Sequence, residues 1–155
     1  ARAAGVPADA VGRAAAKHPQ LLGLSLTSSL EPKAAYLASL GVDLARLLAL
    51  HPTGLSLRME ENVTPKVRHF QTVGVPDVGR MLSAHPPLLS LSLKENIEPK
   101  TAYLASLGIQ DLGKALQAYP QVYSLSLHGN MAPTARFLSR CGYDVQAQLR
   151  LRHLA

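Results

Sequence analysis

Histidine followed by proline recurs three times in this sequence, and imidazole is the side chain best suited to proton transfer or metal binding near neutral pH. The pairs begin at His18, His51 and His85, and a Tyr-Pro pair at Tyr119 takes the same place a fourth time. Tyrosine is a poor substitute for an imidazole ligand, and the histidines continue the apolar spacing of the residues before them. We therefore predict that they pack and cap helix ends rather than bind a metal.

No other pattern in the sequence supports catalysis. Cys141 is the only cysteine, which excludes an internal disulfide and a cysteine-based zinc site, and its position in the pattern predicts a small core residue. Glu60 and Glu61 are adjacent acids that we interpret as solvated charge. The sequence contains no G-x-S-x-G motif and no glycine-rich phosphate loop. We predict no enzyme, no cofactor and no metal.

Basic residues are the remaining candidates, because they recur in phase with the His-Pro and Tyr-Pro pairs. One stands five positions before each pair, and the four are Arg13, Arg46, Arg80 and Lys114. Arg46 projects away from the apolar stripe of its predicted helix, so we expect one cation per unit on one face. A phosphate backbone can follow such a row. The alternative is a solvated face whose charges only aid solubility.

Three lysines form a second row, each directly after a proline, and they are Lys33, Lys66 and Lys100. A phosphate near a helix N-terminus would favour cations there, but the lysine stems could instead lie along apolar neighbours with the ammonium groups in solvent. Four arginines break the repeat pattern and are candidates for reading bases, since arginine to guanine is the commonest specific contact. They are Arg58, Arg68, Arg136 and Arg140.

The overall composition is that of a globular chain with a positive surplus. It has 155 residues, 47% hydrophobic and 17% charged, and its net charge of +6 favours an anionic partner. No apolar run approaches the ~20 residues that cross a bilayer, so we expect a soluble protein without membrane contact. We also expect a monomer. The chain begins with alanine and without a signal-peptide pattern. We therefore expect a piece of a longer protein.

Internal repeats organise the whole sequence. The His-Pro and Tyr-Pro pairs recur at steps of 33, 34 and 34 residues, and a proline and a glycine keep the same phase. The prolines are Pro32, Pro65, Pro99 and Pro133, and the glycines are Gly41, Gly74, Gly108 and Gly142. Three marks in phase predict a single repeat domain over residues 1–155, with about four repeats and partial units at both ends.

Each repeat contains two helical patterns. The first runs from the proline to the glycine, and the second follows an aspartate that can cap it; these aspartates are Asp43, Asp77, Asp111 and Asp144. The second pattern has a clean apolar stripe, as in Leu44, Leu47 and Leu48. Helices this short cannot stand alone in water, so the units must stack. The sequence thus predicts an all-α solenoid.

The stretch "LLSLSLKEN" at 88–96 allows a second interpretation, because its alternating leucines fit a strand of a leucine-rich repeat. The period exceeds the 20–29 residues usual for that class, and each unit already holds two helical patterns. Apolar pieces bounded by proline also suit a 3₁₀ turn and a short extended link. We favour the 3₁₀ turn and keep the parallel strand as the alternative.

The repeat unit closely resembles that of the mitochondrial transcription termination factor (mTERF) family. The resemblance lies in the proline ahead of "LLSLSL", the "EPK" that starts the next helix and the "YLASLG" that ends it. It covers nearly the whole chain, four times over. It implies a superhelix whose units each have two α-helices and a short 3₁₀ helix. It also implies a mitochondrial or chloroplast location and binding of double-stranded DNA, or in some members of organellar RNA, without catalysis.

Two hypotheses of function follow. The first is a nucleic-acid-binding solenoid, with duplex DNA as the partner and organellar RNA as the alternative, that acts in transcription termination or regulation. The second is a protein-docking adaptor that holds a partner such as an RNA-modifying enzyme. The few aromatic residues, five tyrosines and two phenylalanines, leave little for stacking on single strands and favour a duplex.

Overall fold

Every regular element of the described structure is helical. The computed structural model describes residues 8–17, 19, 23 and 30–142, and this part of the chain contains no strand. It contains the α-helices α1 (Ala8–Lys17), α2 (Glu31–Ser39), α3 (Leu44–Leu50), α4 (Thr64–Val73), α5 (Val78–Ala84), α6 (Glu98–Ser106), α7 (Leu112–Ala118) and α8 (Ala132–Arg140). The predicted all-α repeat fold is therefore confirmed, and the alternative of a parallel strand is wrong.

Helices α2, α4, α6 and α8 are the first helices of their units, and proline stands in the first turn of each. Glycine ends them, because the chain must turn through left-handed backbone there. At Gly74, φ is 90°, and the amides of Gly74 and Val75 bond back to the carbonyls of Gln71 and Phe70. These bonds satisfy helix-end carbonyls in the pattern of a Schellman motif.

Helices α1, α3, α5 and α7 are the second helices, and they form one layer in which each contacts the next. Their apolar stripe faces the core: Leu47 and Met81 are fully buried, and Leu44, Leu48 and Leu82 nearly so. Asp43 and Asp77 cap α3 and α5 as predicted, since each carboxylate accepts the backbone N–H three residues on, at 2.9 and 2.8 Å. The predicted cap at Asp111 is wrong, because its backbone is left-handed and its side chain makes no bond to the start of α7. Asp144 lies outside the described residues.

Two short turns join α3 to α4, α5 to α6 and α7 to α8. A 3₁₀ turn comes first and a π-type turn follows; the 3₁₀ turns are Pro52–Ser56, Pro86–Ser90 and Pro120–Ser124, and the π-type turns are Met59–Val63, Leu93–Ile97 and Leu127–Met131. Only two residues between them are extended, such as Leu91 and Ser92. The predicted 3₁₀ turn and extended link are confirmed, whereas the π-type turn was not predicted.

The alternation of serine and leucine serves these turns. Leu88 and Leu89 are fully buried within the 3₁₀ turn. The hydroxyl of Ser90 bonds the ring of His51 in the preceding unit, and Ser92 caps the π-type turn by accepting the N–H of Glu95 at 3.2 Å. Leucines therefore fill the core while serines satisfy polar groups at the turns, without any strand pairing.

One unit departs from the leucine core. The ring of Tyr123 is fully buried where the two preceding units have Leu55 and Leu89. Its hydroxyl lies 2.8 Å from the hydroxyl of Thr101, which donates to the carbonyl of Ile97. Burial raises the pKa of Tyr123 to about 12. The larger polar side chain is tolerated because its hydroxyl has a partner.

Two glycines let neighbouring units approach very closely. A Cβ at Gly79 in α5 would lie 1.7 Å from the carbonyl oxygen of Leu40 at the end of α2, and one at Gly113 in α7 would lie 2.0 Å from that of Gly74. The second helix of one unit thus touches backbone at the end of the first helix of the preceding unit. Only glycine permits this spacing, so these positions fix how the units stack.

We expect Gly79→Ala to lower the free energy of unfolding by about 3 kcal/mol, because the added methyl group meets backbone that cannot move without shifting a whole helix. Gly12, at the same place in α1, has open space around it. Gly12→Ala is the matched control and should raise stability by about 0.5–1 kcal/mol, since alanine favours a helix interior. Chemical denaturation followed by circular dichroism measures both. Equal effects of the two variants would show that the close approach is unimportant.

Candidate nucleic-acid interface

Four exposed basic residues stand on the layer of second helices. Arg46, Arg80 and Lys114 are the third residues of α3, α5 and α7, and Arg13 stands at the corresponding place in α1. Each of these helices contacts the next, so equivalent positions follow one another along the layer. We call these four residues the cation row. Their exposure agrees with the sequence prediction.

The local sequence explains why the cation row is exposed and positive. The buried stripe of α5 consists of Val78, Gly79, Met81 and Leu82, which leaves Arg80 on the solvent side. Helices α3, α5 and α7 contain no acidic residue within their bounds. Within the described ranges, neither Arg46 nor Arg80 forms an ion pair. Their charges are therefore available to an anion.

The second predicted row, Lys33, Lys66 and Lys100, is not on the surface. Their side chains are buried, with relative exposures of 9%, 2% and 6%. The prediction that they form a solvent-facing row for phosphates is wrong. The physical reason is that each ammonium group has a protein acceptor in the interior, which replaces the water that a surface lysine would bind.

That acceptor is always a backbone carbonyl of the following 3₁₀ turn. Lys33 donates to the carbonyl of Leu55 at 3.1 Å, Lys100 donates to that of Tyr123 at 2.5 Å, and Lys66 donates to that of Leu89. Lys66 also donates to the side-chain oxygen of Asn62. We call these three contacts the lysine clasp. When each unit is counted from its His-Pro or Tyr-Pro pair, the lysine clasp joins the first helix of one unit to the 3₁₀ turn of the next.

Burial changes the acidity of the clasp. It lowers the pKa of all three ammonium groups, and that of Lys66 falls to about 8. The cause is desolvation, which disfavours the charged form. A neutral amine can still donate to the same carbonyls, so deprotonation does not by itself remove the contacts.

The four arginines outside the repeat pattern are exposed but do not join the cation row. Arg58 lies before a π-type turn and pairs with Glu61 at 2.9 Å, and both side chains are largely in solvent. Arg68 is on α4, and Arg136 and Arg140 are on α8, so they belong to the first helices rather than the second. These arginines therefore lie on other elements than the cation row.

The histidines have the structural role that the sequence predicted. His51 and His85 end α3 and α5, and their rings bond the hydroxyls of Ser90 and Ser124 in the following unit, the second at 2.9 Å. His18 lies outside the described residues. In the ranges described above, no group of three His, Cys, Asp or Glu side chains is placed to hold a metal ion.

Cys141 is exposed, and the prediction of a core residue is wrong. It follows the last turn of α8, and within the described part of the chain nothing packs over it as the neighbouring units pack over Leu40 and Val73.

No described helix is long and apolar enough to cross a membrane.

Two residues that support the cation row were not found from the sequence. The backbone N–H of Asp43 donates to the hydroxyl of Ser83 at 2.8 Å, and that of Asp77 donates to the side-chain oxygen of Gln117 at 2.7 Å. Each acceptor belongs to the next second helix. The bond therefore ties the start of the helix that carries Arg46 or Arg80 to the neighbouring second helix. Serine and glutamine share a position but not a type, which leaves no repeat signal to read.

Stacked pairs of helices, each pair contacting the next, define a helical repeat protein of the solenoid class. The family model of mTERF matches residues 2–149, and the chain belongs to the mTERF family. Proteins of that family are organellar helical-repeat proteins that bind nucleic acids, and they are regulators rather than typical enzymes. Searches of curated proteins and of solved structures gave no match.

The lysine clasp predicts how stability depends on pH. Lys66 releases its proton near pH 8 in the folded protein but near 10.5 in the unfolded chain. Between these values the unfolded chain binds more protons, so the free energy of unfolding rises with pH. Lys33 and Lys100 act in the same direction. The raised pKa of Tyr123 acts in the opposite direction only above pH 10, so pH 7.5–9.5 is the informative window.

We expect the free energy of unfolding of the Lys66→Met variant to increase less between pH 7.5 and 9.5 than that of the parent chain. The reason is that the variant lacks the lysine whose pKa is lowered most. Lys94→Met is the matched control, since the Lys94 side chain is 83% exposed, and it should follow the parent chain. Denaturant unfolding at pH 7.5, 8.5 and 9.5 measures the difference. Parallel curves for all three proteins would contradict a buried ammonium at position 66.

Proposed function

We propose that this chain binds nucleic acid through the cation row, that its partner is duplex DNA, and that it acts in organellar transcription as a terminator or roadblock. The observation that carries the proposal is one exposed basic residue at the same place on each of four successively contacting helices. Membership of the mTERF family supports the general class of partner.

The spacing of the layer suits a phosphate backbone. Packed helices lie about 8–10 Å apart, and one strand of B-DNA advances about 3.4 Å per phosphate. One cation on each second helix can therefore contact a separate phosphate of one strand. Contacts of this kind hold a duplex in position without reading its sequence.

The aromatic residues favour a duplex over a single strand. Phe70 and Tyr123 are fully buried, and Tyr36 packs against the core. Among the described aromatic residues, only Tyr119 and Phe137 are classed as exposed, with relative exposures of 38% and 65%. Proteins that bind single strands without sequence preference use exposed rings on which successive bases stack. The exposed surface here offers charge rather than such rings, so organellar RNA is the second choice of partner.

We expect the double variant Arg46→Ala/Arg80→Ala to bind duplex DNA more weakly and with a shallower salt dependence. Each lost phosphate contact reduces the slope of log affinity against log salt by about 0.9, so two contacts reduce it by about 1.8. Electrophoretic mobility shifts or fluorescence anisotropy across a salt series measure the slope. The charge-matched control is Arg58→Ala/Arg68→Ala, which removes two arginines outside the cation row and should leave the slope nearly unchanged.

A slope near zero in the parent chain, or the same loss in the control variant, would overturn the assignment of the cation row. Duplex RNA, single-stranded RNA and single-stranded DNA are measured in parallel at the same salt concentrations. Tighter binding to an RNA than to duplex DNA, with the same dependence on Arg46 and Arg80, would replace DNA by RNA as the partner.

A further inference from the structure

The three described helix caps beside the cation row are not equivalent. The carboxylates of Asp43 and Asp77 accept the backbone N–H of Arg46 and Arg80, and their backbones are extended. Asp111 instead has left-handed backbone, with φ 52°, and its side chain makes no bond to the start of α7. Left-handed backbone is tolerated by aspartate and asparagine more than by most residues, so position 111 can hold this conformation.

The freed carboxylate lies beside the cation of its own unit. Asp111 Oδ2 is 3.6 Å from Lys114 Nζ, and the two side chains are 66% and 61% exposed. Arg46 and Arg80 have no such partner among the described residues, because the aspartates before them are occupied at the helix start. The charge of Lys114, the last of the four residues of the row, is thus partly neutralised by an ion pair, whereas Arg46 and Arg80 form no ion pair among the described residues.

We infer that Asp111 competes with phosphate for Lys114, so that Arg46 and Arg80 hold the nucleic acid more strongly than Lys114 does. This inference rests on the proposed function of the cation row. A phosphate that reaches Lys114 must displace the carboxylate or share the ammonium with it. An exposed ion pair of this kind is worth up to about fivefold in an equilibrium constant, and salt weakens it further.

The strength of contact with the nucleic acid then changes along the cation row. Contact with a duplex is strongest on α3 and α5 and declines at α7, although all three helices carry a basic residue at the same position. A change of one side chain from aspartate to asparagine should remove the difference, because asparagine keeps the size and tolerates the same backbone but carries no charge.

The test is a double-mutant cycle on duplex DNA of random sequence at low salt. We expect Asp111→Asn to tighten binding by about two- to fivefold and to steepen the salt slope by up to about 0.9. Lys114→Ala should have a small effect in the parent chain, smaller than that of Arg80→Ala, and a larger effect when Asp111→Asn is present. Non-additivity of the two changes is the expected signature.

Glu60→Gln is the charge-matched control, because it also removes one exposed carboxylate but lies in a π-type turn and not at the start of a second helix. It should tighten binding much less than Asp111→Asn. Thermal unfolding checks the fold, and Asp111→Asn should leave the midpoint nearly unchanged, since the carboxylate does not cap α7.

The outcomes separate the inference from the function on which it rests. If Lys114→Ala weakens binding as much as Arg80→Ala, and Asp111→Asn acts no more strongly than Glu60→Gln, the role of Asp111 is overturned while the cation row stands. If Arg46→Ala and Arg80→Ala also leave binding unchanged, the cation row itself is overturned.

Discussion

The contact between a buried lysine and a backbone carbonyl of the next unit is the constraint on which the rest of this structure depends. A 3₁₀ turn ends with carbonyl groups that its own short helix cannot satisfy, and here the turn is packed inside the solenoid. The lysine clasp supplies the missing donor at Leu55, Leu89 and Tyr123 from the preceding first helix. Without it, a buried carbonyl would lack a partner at each of these three junctions between units.

The clasp also explains how one chain uses lysine and arginine for opposite purposes. A lysine has a long flexible stem and a compact charge that can lose part of its basicity when buried, so it can reach inward to a carbonyl. Arginine stands instead at positions 46 and 80, where its side chain is exposed on the second helices. The buried lysine contacts fix how the units stack, and this stacking places the exposed basic residues at regular intervals on the surface. The cation row is regular because the interior contacts repeat.

The sequence predicted the repeat, the order of helices, the buried stripes and the exposure of the cation row, because each depends on spacing within one unit. It predicted the second lysine row wrongly, because the partner of each lysine lies 22 or 23 residues ahead in another unit. A cation after proline has the same sequence signature whether its acceptor is a phosphate or a buried carbonyl. The hydrogen bonds accepted by Ser83 and Gln117 were not predicted for a related reason. Their role depends on the neighbouring second helix and not on residue type.

Differences between units are where a regular solenoid acquires individual properties. Tyr123 with Thr101 replaces an apolar pair by a polar one inside the core, and this leaves the stacking intact because both hydroxyls are satisfied. Asp111 is the same residue type as Asp43 and Asp77, but its left-handed backbone leaves α7 without a side-chain cap and its carboxylate pairs with the neighbouring surface charge of Lys114. A substitution in the core must keep the shape of the repeat, whereas one at the rim can change charge at little cost to folding. Under the proposed function, the exposed residues at the start of the second helices are therefore where the strength of nucleic-acid binding can vary from unit to unit. The lysine clasp keeps the spacing of the units constant.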